Sequence, residues 1–266
     1  MSCIPLRLNS YHSTLGTLEH LKPCQYDLIL ANPPYYQSAV ISEASKSVKL
    51  SNSTQKAYTT GGRGIEALFL EWIIKSLKEG GTANVVLPDG IFTNIANDDL
   101  KELITTECII ESIISLPVGT FFNTPKKTFI LTIRKKTEQE KSTSQQYNVF
   151  TYLCSTIGES LDTYRFDIES NDLSNAVTLY NLYKTNKTNK IVLDAVSVDA
   201  RAKLISIQKF GKDSNWDINL FWTDKEKEAI GIKKKDNTMT LDEFNTFVGE
   251  LIEDIKDYQE AIKCLK

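Results

Sequence analysis

One stretch near the start of the chain limits the possible folds more than any other. Tyr26-Asp27-Leu28-Ile29-Leu30-Ala31-Asn32 is a short, mostly apolar run that stops at Pro33-Pro34. A run without polar–apolar alternation reads as a parallel strand buried on both faces. Proline donates no ladder hydrogen bond, so the strand ends there.

The residues that follow extend this pattern. Residues 36–60 are rich in Ser, Thr, Asn and Lys, lack periodicity and read as a long loop, a type of segment that is often functional. Gly64 to Lys78 carries Ala67, Leu68, Leu70, Glu71, Ile74 and Leu77 at helical spacing, with Gly80-Gly81 as the expected helix stop. Thr82–Leu87 reads as the next buried strand, Asp98–Thr106 as a helix, and Ile109–Leu116 and Thr128–Arg134 as two further strands. That order predicts an open α/β sheet closed by a hairpin.

Lys136 to Tyr147 has no apolar residue before its end and marks the clearest internal boundary. It divides a first segment, 1–136, from an extension, 147–236, with a strand at Asn148–Leu153 and a short helix at Asp172–Lys184. A small tract of Thr, Asn and Lys, Thr185–Lys190, follows that helix. Residues 240–266 form a third segment. There Leu241, Phe244, Val248, Leu251, Ile255, Tyr258, Ile262 and Leu265 recur at spacings of three and four. This is the seam of a coiled coil, opened by a Thr240/Glu243 capping box. The alternative is a terminal helix packed on its own domain.

Composition excludes several classes of function. The five cysteines are scattered without a C-x-x-C pair, which argues against a disulfide framework and a zinc site. His12 and His20 have no ligand-spaced neighbour, so no metal is expected. Apolar stretches such as Cys108–Leu116 are too short to span a bilayer, and the N-terminus lacks the order of a signal peptide. A cytoplasmic protein without a membrane partner is expected. The formal net charge of −3 suits a protein that shares any grip on nucleic acid with another subunit or domain. Its basic clusters are local: Lys126-Lys127, Arg134-Lys135-Lys136 and Lys233-Lys234-Lys235.

Asn32-Pro33-Pro34-Tyr35 carries the chemistry. By composition it would arise by accident on the order of once in a thousand chains of this size. It follows a strand, and ligands of open α/β sheets bind at the carboxyl ends of strands. An exocyclic amine on adenine is a poor nucleophile because its lone pair is delocalised into the ring. Acceptors aimed at its two N–H bonds, the Asn32 side-chain oxygen and the Pro33 carbonyl, would draw the nitrogen toward tetrahedral geometry. Two prolines hold these acceptors stiffly in advance. Tyr35 offers a face for a base extruded from a duplex. The plain alternative is a proline-rich turn that merely ends a strand.

The run Asp27–Tyr35 resembles the catalytic motif of amino-group DNA methyltransferases. Further matches are Gly62-Arg63-Gly64, Phe69, Leu77-Lys78-Glu79-Gly80-Gly81 and Leu87-Pro88-Asp89-Gly90. Leu116-Pro117-x-x-x-Phe121-Phe122-Asn123-Thr124, Ile130-Leu131 and Arg134-Lys135-Lys136 continue the likeness. Together they resemble the modification subunit of type I restriction-modification systems, strongly over residues 26–136 and weakly over 150–222. The resemblance implies a partial Rossmann-like methyltransferase sheet with a C-terminal helical extension. It also implies methyl transfer from S-adenosylmethionine to N6 of adenine in DNA. Asn32, Pro33, Pro34 and Tyr35 would hold the adenine, and Phe121 or Phe122 would close its pocket, although both could equally be core residues. Asp89 reads as structural. The implied partners are DNA, a specificity subunit and a restriction subunit, met through the C-terminal helix.

The chain departs from that pattern at the cofactor. Relatives carry a Phe-x-Gly-x-Gly loop well before the catalytic motif, whereas only 31 residues precede Asn32 here and Gly16 is their one glycine. Phe247-Val248-Gly249 lacks the second glycine, and Ser13 stands where an acidic residue would contact the cofactor. No cofactor-binding residue can therefore be named, and most of that site is expected from a separate N-terminal methylase fragment or to be lost by truncation. Weak binding of S-adenosylmethionine by the chain alone is expected. Two alternatives remain: methylation of another planar amide or amine, in RNA or a protein glutamine, and an inactive assembly or DNA-binding module.

Overall fold

The computed structural model describes residues 18, 21–35, 57–60, 64–121, 126–162, 164–233 and 248. Residues 1–232 form one compact unit and 233–266 a second. The seam from Leu241 to Leu265 lies outside the described residues except for Val248, which is helical and exposed. Within the first unit the strands are β1 (Tyr26–Ala31), β2 (Leu77–Pro88), β3 (Cys108–Ser115), β4 (Thr128–Lys135), β5 (Val149–Leu153), β6 (Ile157–Glu159), β7 (Asp167–Asn171) and β8 (Ala202–Ile205). The helices are α1 (Ile65–Ser76), α2 (Gly90–Thr93), α3 (Asp98–Glu107), α4 (Glu138–Lys141), α5 (Asp172–Thr185), α6 (Lys190–Val196) and α7 (Asp224–Ala229).

Six of these strands make one mixed sheet in the order β1-β2-β4-β3-β5-β8. β1 runs parallel to β2, and β3 parallel to β5, while β4 is antiparallel to both β2 and β3. The expected hairpin is thus the β3–β4 pair, with β4 lying between β3 and β2. The polar stretch after β4 is a crossover within this sheet, because β5 and β8 continue it beyond β3. Its short helix α4 opens with a capping box between Thr137 and Glu140.

The two faces of the sheet are covered differently. On one face Ala83, Val85 and Leu87 of β2 pack with Ala67, Leu70 and Ile74 of α1 and with Leu100 and Ile104 of α3. Helix α1 is buried nearly all round, as an apolar helix inside a core should be. Even its Glu71 is fully buried, and it accepts from Thr59 N (2.7 Å), Thr60 Oγ1 (2.7 Å) and Lys75 Nζ (2.6 Å). On the other face Phe150 and Tyr152 of β5 pack with Ala176 and Tyr183 of α5 and Val196 of α6. This second cluster also takes in Ile114 of β3 and Ala202 of β8, and no residue of β1 or β2 belongs to it.

β1 therefore corrects the expectation of a strand buried on both faces. It lies at the sheet edge, and only Ile29, Ala31 and Tyr26 pack on the core. Leu28 is 47% and Leu30 72% exposed. The apolar run reports that these side chains favour cover, but it does not say which element supplies it.

Gly80-Gly81 is a second correction. Helix α1 already ends at Ser76, and both glycines lie in β2. The register jumps from Tyr26↔Leu77 to Leu28↔Thr82, so β2 makes an irregular excursion beside β1. Gly80 takes the left-handed conformation (φ 71°). A Cβ on Gly81 would stand 2.9 Å from the Tyr26 carbonyl oxygen, so the pair of strands closes only over glycine.

Candidate active site

The carboxyl ends of the parallel strands meet along one edge of the sheet. Asn32–Tyr35 leaves β1 there, Asp89 leaves β2, Leu116–Phe121 leaves β3 and Cys154 leaves β5. Lys127 enters at the same edge, just before the antiparallel β4. The Asp89 N–H donates to the Lys127 carbonyl (3.0 Å), and the Leu116 N–H to the Thr128 carbonyl (3.0 Å), which joins these loops.

Within the proline turn Asn32 is exposed, Pro33 buried, and Pro34 and Tyr35 half-buried. The Tyr35 hydroxyl donates to Asn32 Oδ1 at 2.8 Å and also lies 3.1 Å from the Val86 carbonyl oxygen of β2. Burial and the nearby charge of Glu66 raise the pKa of this hydroxyl, so it stays protonated. The Tyr35 ring meets Phe121 edge to face, with centroids 6.4 Å apart and planes at 73°. The structure thus brings together two aromatics that are 86 residues apart in sequence (121 − 35). Phe122 lies outside the described residues.

The Phe121 loop is held from below and from the side. The Thr120 hydroxyl donates to the Pro117 carbonyl (2.7 Å), and Lys127 Nζ donates to the Leu116 carbonyl. Arg165, from the β6–β7 hairpin, donates to the Gly119, Thr120 and Ser160 carbonyls. Burial lowers the Lys127 ammonium to about 8, against the opposing pull of Asp217. Asp89 opens the short α2 through its backbone, as the carbonyl accepts from Phe92 N (2.9 Å) and Thr93 N (3.0 Å).

Glu66 was not singled out from the sequence. It lies in the first turn of α1, is 6% exposed, and its Oε2 has no hydrogen-bond partner among the described residues. Burial raises its pKa, and backbone donors and the charge of Lys126 partly oppose the shift. Only its place two residues after Gly62-Arg63-Gly64 could have flagged it. No three His, Cys, Asp or Glu side chains among the described residues are grouped to hold a metal ion. No helix of the described residues is long and apolar enough to cross a membrane.

The described residues include no cofactor loop of the Phe-x-Gly-x-Gly kind. No glycine-rich turn among them leads from a strand into a helix. Gly64 precedes α1, but a Cβ there would stand 2.7 Å from Glu66 Oε2, so its open side is already taken by a carboxylate.

A mixed α/β sheet with an Asn-Pro-Pro-Tyr turn at its strand ends defines a protein of the methyltransferase type. The N-6 DNA Methylase family model matches residues 8–230, and the chain belongs to that family. It is 35% identical over 100 residues to the type I restriction enzyme EcoEI methylase subunit of Escherichia coli, a match covering 36% of this chain and 18% of that protein. It is 28% identical over 126 residues to the StySPI methylase subunit of Salmonella potsdam, covering 47% of this chain and 22% of that one. The chain thus spans about a fifth of the length of either relative. Among solved structures, one describing complex assembly and conformational transition of the type I R-M system aligns over 91% of this chain and 45% of its own. Its TM-score is 0.53 at 16% identity, a likeness of fold.

Proposed function

We propose that this chain is the adenine-holding part of a site-specific DNA methyltransferase in a restriction-modification system, acting on N6. The observation that carries this reading is the turn Asn32–Tyr35 at the end of β1, with Phe121 edge-on to Tyr35 at 6.4 Å. Asn32 and the Pro33 carbonyl accept from the two N–H bonds of the adenine amine. Tyr35 stacks on the extruded base, and Phe121 or Phe122 closes the other side. S-adenosylmethionine supplies the methyl group.

Most of the cofactor site is carried by polypeptide outside these residues, a methylase fragment seated against β1. The exposed Leu28 and Leu30 support that, since an apolar edge strand invites pairing. DNA is gripped jointly with a specificity subunit, bound through the helix of residues 241–265, and a restriction subunit joins the same assembly. The exposed edge also supports a second reading, an inactive fragment kept as an assembly or DNA-binding module.

Reconstitution with the N-terminal part of a type I methylase subunit and a specificity subunit decides between them. Transfer of labelled methyl to duplex adenine is expected, and Asn32→Ala should lower the rate on the order of 100- to 1000-fold with DNA affinity little changed. Near-normal turnover in Asn32→Ala would remove the assignment, and absence of any transfer would favour the inactive module.

A further inference from the structure

The hydrogen bonds of Tyr35 pose a counting problem. Its hydroxyl has one proton, yet two carbonyl-type oxygens lie within reach, Asn32 Oδ1 at 2.8 Å and the Val86 carbonyl at 3.1 Å. That proton serves only one of them at a time. An Asn amide carries an oxygen and an NH2 of nearly equal size, and a half-turn about its last bond exchanges them. After that turn Asn32 Nδ2 donates to the Tyr35 oxygen, and the Tyr35 proton goes to Val86. Each donor then has one acceptor, and a chain of this kind polarises each of its members.

The half-turn also changes what Asn32 shows to a bound base. With Oδ1 against Tyr35, the NH2 faces the base and suits a carbonyl-bearing edge. With Nδ2 against Tyr35, Oδ1 faces the base and suits an exocyclic amine. We propose that the Tyr35 hydroxyl, anchored on the Val86 carbonyl of β2, sets the amide of Asn32 so that its oxygen is presented, which selects an amine-bearing base over a carbonyl-bearing one. Tyr35 is in this respect a positioning residue, separate from any stacking by its ring. Its raised pKa keeps the hydroxyl proton in place for the bond to Val86. The inference rests on the methyltransferase reading for its consequence but not for its geometry.

The geometry can be tested on the chain alone. With 15N-asparagine labelling, the side-chain NH2 pair of Asn32 is assigned by its loss in Asn32→Asp. One of its protons should exchange with solvent on the order of tenfold more slowly than those of exposed asparagines, and Tyr35→Phe should abolish that protection. If both protons exchange freely in the unsubstituted chain, the amide is turned the other way and the proposal falls.

The consequence is tested in the reconstituted enzyme. Tyr35→Phe keeps the ring and should lower kcat about threefold to tenfold, the worth of one neutral hydrogen bond, with KM unchanged. In the Asn32→Asp background the same substitution should have almost no effect, because a carboxylate presents an oxygen whichever way it is turned. An equal loss in both backgrounds would overturn the proposal. If no reconstituted mixture transfers methyl groups, the functional reading fails while the exchange measurement still decides the geometry.

Discussion

The two ends of the sheet are built to different standards. At the β5–β8 end both faces are covered, and Phe150 alone touches the rings of Tyr152, Tyr180 and Tyr183 at centroid distances of 5.7–6.3 Å. Buried Glu111 bonds Arg134, Tyr147 and Lys187 there, tying β3 to β4 and to the connection between α5 and α6. At the β1–β2 end one face is packed by α1 and α3, while Leu28 and Leu30 face outward. The candidate site lies on the less covered half. The lesson is that the Asn32–Tyr35 turn is anchored from one side, by β2 and the Phe121 loop, while Asn32 and the outer face of β1 stay exposed.

The largest expected effect lies at the covered end. Phe150→Ala removes a fully buried ring and should cost about 3–5 kcal/mol in denaturant unfolding. A smaller, pH-dependent effect is expected at Asp172, in the first turn of α5. Burial raises the pKa of its carboxyl, but the Ser155 N–H (2.7 Å), the Ser155 hydroxyl (2.9 Å), the Thr156 N–H (3.0 Å) and the charge of Arg201 outweigh that and hold it below the ordinary value. With the folded pKa depressed, its stabilising contribution is complete above the unfolded carboxylate value and is lost as pH falls through the folded one. Asp172→Asn should cost about 1.5–3 kcal/mol at neutral pH. In unfolding curves measured at successively lower pH, the gap between variant and parent should close.

The smallest effect should be at the accessible end. Leu30→Ser is expected to change unfolding stability by no more than about 0.5 kcal/mol, while reducing self-association seen by light scattering. A loss like that of Phe150→Ala would mean that β1 is covered after all, and the contrast between the two ends would disappear.

What could be read from the sequence follows from the range of the signal. Helix α1 announces itself through local periodicity and strands β3, β4 and β5 through short apolar runs, and their bounds, like those of helix α5, agree with expectation within a few residues. The turn Asn32–Tyr35 was equally legible, since its prolines and strand context are contiguous. The order of the strands was not. Nothing within Thr128–Lys135 states that this strand lies between β2 and β3, because pairing depends on complementary surfaces far apart in the chain. Leu28 and Leu30 misled for the same reason: an apolar side chain records a preference for cover, and periodicity cannot say whether cover is present. Gly80-Gly81 has the composition of a helix stop, and only the nearness of the Tyr26 carbonyl identifies it as a passage between strands. Glu66 had no signature, since its burial comes from the fold around it.

The central position of β4 has a consequence for synthesis on the ribosome. β2 and β3 never pair directly, and each is joined to the other only through β4. Until residue 135 has emerged, the nascent chain therefore holds two apolar strands with no template between them, and their bare edges are hazards for misassembly. Once β4 enters, it zips both at once, through Pro88↔Thr128 to Thr82↔Arg134 on one side and Ser115↔Phe129 to Cys108↔Lys135 on the other. Assembly of the sheet thus waits on a strand translated after both of its neighbours, and a chain halted before Thr128 is a natural client for a chaperone.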